Sequence, residues 1–359
     1  MVHQQNIPTQ TSIIVQRRNY WEMKDKIILL KNEKEIPLDQ WEQLVETSPV
    51  ASFFQTPECY QFYASLTFLK PFLYGVAEDG KLKGIACGYV QAEGGKLKQF
   101  FSRRAIIPGG ILLDKDIEPG SITALLEFLK KELHKRAIYI ECRNFNDYSE
   151  YRPYFEKVGF IYQAHLNFHV PTPNVGQCYK QLSSTKRRDI KLSLKEGVEI
   201  AETKSGDDIK EFYQLLKDLY RTKIKTPLFP YEFFENIVRL PFGHLFVVKY
   251  QKEIIGGNLC VALDNKILYE WFVCGKDGSY KRIFPSTLAT WAAIQFAAEN
   301  GFEYFDMMGA GKPDESYGVR EFKARFGGNL VEHGRFEMIL NKYLYHVGNI
   351  GVKFLKHWK

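Results

Sequence analysis

From Phe72 to Cys87 the apolar residues fall into two short runs parted by Asp79-Gly80, and the same rhythm returns from Leu245 to Cys260. Two apolar runs around a tight turn predict antiparallel hairpins. Gly84 and Gly257 stand 173 residues apart, and so do Cys87 and Cys260. After each hairpin the period lengthens to that of a helix. Ser121–Lys135 sets Leu125, Leu126, Phe128, Leu129 and Leu133 on one side, and Ser286–Asn300 is its counterpart, stopped by Gly301. A strand follows each helix, at Ala137–Cys142 and Phe302–Met307. Then come a short helix (Tyr151–Lys157; Gly318–Lys323), a Gly/Phe turn and a last strand (His165–Val170; Arg335–Leu340). Phe160 and Phe326 of those turns are 166 residues apart.

A repeated order of hairpin, helix, strand, helix and strand predicts an α/β fold of α+β mixed-sheet type, with helices on the sheet faces, built twice. Pro171–Ser184, with Pro171, Pro173, Asn174 and Gly176, reads as the linker, so the units are expected at residues 1–176 and 177–359. The second opens with a helix at Tyr179–Glu196 stopped by Gly197, a strand at Val198–Glu202, and helices at Asp207–Lys223 and Tyr231–Leu240.

The length of 359 residues suits two domains. An apolar content of 45% with 25% charge excludes a disordered, collagen-like or disulfide-stapled chain. No apolar run approaches the ~20 residues of a membrane helix, and the first residues lack the apolar stretch of a signal peptide. A cytoplasmic chain is expected. Its cysteines, Cys59, Cys87, Cys142, Cys178, Cys260 and Cys274, form no C-x-x-C pair and predict buried free thiols. His165 and His169 fall in a strand, where an i, i+4 pair does not converge on a metal, so none is expected.

Charge sharpens the division. Residues 180–359 hold 28 Lys/Arg and 22 Asp/Glu, a net +6 of the chain's +7. That is too mild for a dedicated DNA binder, but it places an anionic partner on the second half.

Three clusters carry candidate chemistry. Ser183–Lys191 contains Lys186, Arg187 and Arg188; the arginine forks suit phosphate oxygens, and the cluster equally fits a solvated helix face. Phe305–Gly318 ends a strand in a polar, Gly-containing loop. There Asp306, Asp314, Glu315 and Tyr317 can accept a proton or bind an amine, and Gly309 and Gly311 allow close backbone approach. Val319–Gly328 carries Arg320, Lys323 and Arg325 around Phe322 and Phe326, and a Lys there can stabilise charge growing on a carbonyl oxygen. The C-terminal run Tyr343–Lys359 mixes aromatics with Lys, which fits either packing on the second domain or peripheral contact with an anionic membrane.

Tyr304-Phe-Asp306-Met-Met-Gly309, followed by Tyr317-Gly-Val-Arg-Glu-Phe322-Lys323-Ala-Arg-Phe326-Gly327-Gly328, resembles the "Y-D-x-x-G … F-K-x-x-F-G" ending of the FemABX family. Phe53-Phe-Gln55-Thr56 with Tyr60 resembles its early "F-x-Q-S/T-x-x-W" element, Tyr replacing Trp, and Lys186-Arg187-Arg188-Asp-Ile190 resembles its "K-x-R-x-x-I" helix. The resemblance spans roughly residues 50–340. It implies two tandem GNAT-like acyltransferase domains that move an amino acid from aminoacyl-tRNA to an amine of a peptidoglycan precursor. By that resemblance Lys323 assists acyl transfer, Arg187 and Arg188 hold a diphosphate, and Tyr269 lines the substrate channel, while Asp306 is expected to orient or deprotonate the amine. Lys186, Tyr317, Arg320 and Arg325 complete the expected substrate site. The expected partners are a phosphorylated or lipid-linked envelope precursor and charged tRNA, which together suggest the inner face of a membrane.

No cofactor is expected. Acyl-CoA or an acyl carrier protein is the alternative donor, but the loop Tyr280–Ser286 before the main helix has no glycine, and Pro285 has no N–H for a pyrophosphate. A non-catalytic binder of a glycan or lipid-linked precursor is the third reading.

Overall fold

The computed structural model describes residues 27–92, 102–263 and 266–348. Their strands form two mixed sheets. The first contains β1 (Ile27–Leu30), β2 (Lys70–Glu78), β3 (Lys81–Gln91), β4 (Arg104–Gly109), β5 (Leu112–Leu113), β6 (Tyr139–Asn144) and β7 (Ile161–Gln163). β2 and β3 make the first expected hairpin, with Asp79 and Gly80 both at positive φ in its turn. β8 (Leu166–Pro171) belongs to the second sheet, with β9 (Glu199–Thr203), β10 (Gly243–Tyr250), β11 (Glu253–Leu263), β12 (Ile267–Gly275), β13 (Tyr304–Asp306) and β14 (Asn329–Glu332). β15 (Arg335–Ile339) returns to the first.

The last strand of each repeat therefore crosses over. β8, read from sequence as the end of the first unit, lies between β13 and β14, and β15 lies between β6 and β7. Leu166, Phe168 and Val170 alternate as a half-buried strand should. Alternation specifies which face is buried and says nothing of which sheet buries it. Only Ala164-His165 separates β7 from β8, and only His333-Gly334 separates β14 from β15, so each crossover is a sharp bend. Gly334 takes φ 63° with the Tyr162 ring where a Cβ would stand.

Pro171–Ser184 is correspondingly ordered rather than a loose linker. Thr172 Oγ1 donates to Phe302 O at 2.6 Å. A helix follows at Val175–Gln181, capped by Asn174, then a second at Ser184–Lys195, capped by Ser183. The one helix expected over Tyr179–Glu196 is thus two. The helix expected at Asp207–Lys223 runs over Gly206–Leu219 and closes in a π-turn, Tyr220–Ile224.

Each sheet packs a long helix, Pro119–Leu133 on the first and Pro285–Glu299 on the second. A third core joins the sheets and is strongly aromatic. Trp41, Phe53, Phe54 and Tyr63 from the first unit meet Phe212, Phe233, Phe234 and Tyr269 from the second. Full burial of each such side chain contributes ~1.5–3 kcal/mol, so this seam holds the two units as one body. All six cysteines are buried and free.

Candidate active site

In the second sheet, β12 and β13 run parallel but pair for three residues only, Ile267–Tyr269 against Tyr304–Asp306. Two local features part them. Trp271 is an extra residue in β12, because Glu270 lies opposite Cys260 and Phe272 opposite Leu259 of β11, and a bulge bends its strand. On the other side Met308 takes φ 48° and the chain follows β8, with Phe168 O accepting from Met307 N–H at 3.0 Å and Leu166 O from Ala310 N–H at 2.6 Å. The strands leave a gap at their carboxyl ends, where open α/β sheets take ligands.

Lys323 bridges the point of parting. Its ammonium donates to Met307 O and to Met308 O (2.7 Å), with Gly309 O at 3.4 Å, on one side. On the other it meets Glu270 Oε1 at 3.4 Å. The short helix Gly318–Ala324 carries Lys323 inward; Lys323 is 7% exposed and Glu270 3%. Glu270 Oε2 accepts from Asn258 Nδ2 at 3.0 Å and Thr290 Oγ1 at 3.2 Å. Burial raises the Glu270 carboxyl above the usual range, against the pull of Lys323 and those donors.

Asp306 lies on the opposite face. The register sets Tyr269, Asp306 and His169 side by side across three strands. Tyr269 packs on Phe54 and Phe145 in the aromatic seam, whereas Glu270, one residue on, faces the Pro285–Glu299 helix. The fully buried Asp306 accepts from Asn167 Nδ2 at 2.7 Å and from Met308 N–H at 2.6 Å through Oδ1. Its Oδ2 lies 3.3 Å from His169 Nε2. Lys323 and Asp306, paired as catalytic candidates by sequence, thus hold the same loop from opposite sides.

The basic cluster divides. The helix Ser184–Lys195 turns Lys186 inward, where its ammonium donates to Thr287 Oγ1 at 2.7 Å and lies over the Phe322 and Phe326 rings at 3.7 and 4.7 Å. Burial lowers its pKa to about 8. Arg187 Nη1 donates to Lys180 O and Leu182 O at 2.9 and 2.8 Å and so closes the preceding helix. Arg188 reaches solvent beside Asp189, and Arg325 is exposed nearby, its carbonyl accepting from Ser183 N–H at 2.9 Å. Arg320 donates to the carbonyls of Ala310 (2.9 Å), Lys312 and Pro313 and ties down the loop. Tyr317 is exposed against Gly311, whose φ of 79° and missing Cβ admit the ring. Tyr269, expected in a channel, has no exposed surface, and burial raises its phenol pKa.

The first unit has no such gap. β4 and β6 pair in parallel for six residues, Arg104–Gly109 against Tyr139–Asn144. Gln55 Nε2 donates to Gly109 O and Gly110 O at 3.0 and 3.1 Å, and the Tyr148 hydroxyl donates to Gly109 O and Ile111 O at 3.0 and 2.9 Å. Two surface cavities, of 400 and 580 Å³, lie where the units meet; both are lined by Thr56 and Glu58, and neither by Lys323, Glu270 or Asp306.

Sequence reasoning missed Glu270, Asn258, Thr290 and the pairing of His169. A carboxylate inside the apolar run Ile267–Cys274 was the available signal for Glu270.

Residues 180–323 match the family model described as acetyltransferase (GNAT) domain. No curated protein matches the chain in sequence. Among solved structures, FemX is similar with a TM-score of 0.66 at 16% identity, covering 89% of this chain and 99% of FemX. The C-terminal domain of a putative lysylphosphatidylglycerol synthetase from Agrobacterium fabrum gives 0.56 at 12% identity, covering 89% and 96%. A tandem GNAT protein from the clavulanic acid biosynthesis pathway gives 0.54 at 9%, covering 88% and 99%. With the parted strands inside it, residues 180–323 form an acetyltransferase (GNAT) domain, and the duplicated sheets of the chain share the fold of FemX and of that tandem GNAT protein.

Proposed function

We propose that the chain transfers an aminoacyl group from aminoacyl-tRNA to an amine of a cell-envelope precursor of the peptidoglycan type. The observation that carries this reading is the gap between β12 and β13 bridged by the buried Lys323–Glu270 pair. An acyl ester seated there meets a cation in a water-poor site, where charge growing on the carbonyl oxygen is stabilised most. The neutral amine attacks directly, so positioning carries the rest of the barrier reduction and no covalent enzyme intermediate is needed. Arg188 and Arg325, the outward-facing members of the basic cluster, are assigned to the precursor's phosphates. The likeness in fold to FemX and to a lysylphosphatidylglycerol synthetase domain supports an envelope acceptor. A lipid-linked acceptor would bring the chain to the inner face of the membrane. No helix among the described residues is long and apolar enough to cross one. Most of the C-terminal run, from residue 349 on, lies outside the described residues.

The start of the Pro285–Glu299 helix favours this donor over acyl-CoA. Pro285 occupies the first turn without an N–H, and Ser286 N–H donates to Asp277 Oδ1 at 3.2 Å. A pyrophosphate would have to displace that carboxylate. The test is transfer of radiolabelled amino acid from charged tRNA to a lipid-linked precursor. Label should move and ribonuclease should abolish it. Transfer that survives ribonuclease, or tight CoA binding with turnover of an acyl-CoA, would replace the tRNA donor. Precursor binding without turnover by any donor would leave a binder.

A further inference from the structure

The two crossovers do more than exchange strands. They bring three histidines to one place, His165 from the β7–β8 bend, His169 from β8 and His333 from the β14–β15 bend. The His169 ring stacks on Tyr304 at 4.6 Å and lies 5.2 Å from His333. Asn144 reaches in from the first unit and donates to His333 O at 2.9 Å. Four buried polar atoms here have no hydrogen-bonding partner among the described residues: His169 Nε2, Asp306 Oδ2, His333 Nδ1 and Asn144 Oδ1. Buried polar groups in native proteins are normally satisfied, so such a cluster marks a place that receives polar ligand atoms.

We propose that His169, oriented by Asp306, is the base that takes the proton from the acceptor amine at this seam. The inference rests on the acyl-transfer reading above. His169 Nε2 and Asp306 Oδ2 stand 3.3 Å apart without the alignment of a full hydrogen bond, the looseness common in catalytic pairs before substrate binds. Asp306 is itself held from behind by Asn167 and Met308, which leaves Oδ2 for the imidazole. A carboxylate facing Nε2 favours the tautomer protonated there and leaves the Nδ1 lone pair to accept. No described residue hydrogen-bonds Nδ1, and the side chain keeps 17% exposure.

The other groups packed around the ring do not compete for this role. Burial lowers the pKa of His333, and burial with Arg335 lowers that of His165 to about 4, so both are weaker proton acceptors than an ordinary imidazole. His165 Nε2 is also engaged by Arg335 Nη2 at 3.0 Å, and Arg335 is paired with Glu141. Burial raises the phenol of Tyr304, which stays protonated. His169 with Asp306 is the cluster's remaining acid–base pair.

In the step itself, an acceptor ammonium gives one proton to His169 Nδ1. The freed lone pair forms the C–N bond to the ester carbonyl carbon as the carbonyl π pair moves to oxygen. Collapse of the tetrahedral species breaks the ester C–O bond, and the second nitrogen proton leaves with the departing ribose oxygen. The imidazolium then returns its proton to solvent.

Two measurements on the full chain test this. In protein carrying 15N-labelled histidine, neutral His169 should bear its proton on Nε2. A proton on Nδ1 overturns the proposal whether or not the chain proves to be an acyltransferase. In the transfer assay, His169→Gln and Asp306→Asn should slow transfer to the precursor amine about 100-fold. The loss should be clearly smaller when hydroxylamine, neutral at pH 7, replaces the precursor. Equal loss with both acceptors, or loss with neither, overturns the base assignment. An intact chain inert toward both acceptors counts against acyl transfer, and the tautomer then decides the dyad by itself.

Discussion

The two units put one architecture to opposite uses at the same point. In the first, the parallel strands stay paired to the end, and Gln55 and Tyr148 seal the carbonyls beyond them. In the second, a bulge at Trp271 and a left-handed Met308 part the strands, and a buried ion pair spans the opening. One unit carries amides and hydroxyls where the other carries charges. Neutral groups can be satisfied once and left alone, whereas a buried ion pair is a weak source of stability and is retained where a charge is useful. Under the proposed function, the first unit is scaffold and the second carries the chemistry.

The largest break in that comparison should come from Lys323. Lys323→Ala is expected to lower kcat/KM by about 100- to 1,000-fold and, by stranding Glu270, to cost about 3–5 kcal/mol of stability. The stability loss has a pH signature. With the folded-state pKa of Glu270 raised, the penalty is absent below the unfolded carboxylate value and fully present above the raised one. Thermal melts at pH 5 and pH 8 should show the larger deficit at pH 8. Adding Glu270→Gln to Lys323→Met should restore the melt without restoring turnover, and turnover restored with it would remove Lys323 from the chemistry.

Gly110→Ala probes the sealed counterpart. Its φ of 82° and the Tyr148 hydroxyl 2.5 Å from the new Cβ predict a loss of about 2–4 kcal/mol. Turnover per folded molecule should stay unchanged. A fall in kcat without a fall in stability would give the first unit a direct catalytic part.

Glu141, in β6, supplies the first unit's acid sensitivity. Burial alone would raise its carboxyl, but Arg143 and Arg335 hold it down at about 2. A depressed folded-state pKa stabilises above the unfolded value and is lost as pH falls toward 2, a contribution of about 2–3 kcal/mol. Glu141→Gln should flatten the decline of stability between pH 5 and pH 2; an unchanged slope would show that this ion pair does not set it. The smallest effect is expected at the rim. Arg188→Ala with Arg325→Ala should raise KM for a phosphorylated acceptor about three- to tenfold, more at low salt, with no change in melting temperature.

Much of the fold was legible in the pattern. Both hairpins, both long helices and the doubling follow from periodicity and turn residues, and a resemblance in a few motifs pointed to the tandem architecture. The crossovers were not, because β8 and β15 each present an alternation that either sheet can bury. The site was legible in part. Lys323 and Asp306 stand out in the sequence as charged residues beside one loop, but which face each takes depends on strand register. Lys186 shows the limit most sharply. Among three adjacent cations only helix phase decides which is buried, and here the buried one lies on two phenylalanine rings.

The exchanged strands also constrain the order in which the chain can assemble. Tyr139 pairs with Ile339, and Asp306 with His169, so neither sheet can be completed from its own stretch of chain. During synthesis β6 emerges well ahead of its β15 neighbour, leaving a hydrogen-bonding edge uncovered in the interval. Such long-range pairings close slowly, and an open edge invites association with other chains. The bend that gathers the histidines therefore also makes completion of the first sheet a late folding event, tied to completion of the second.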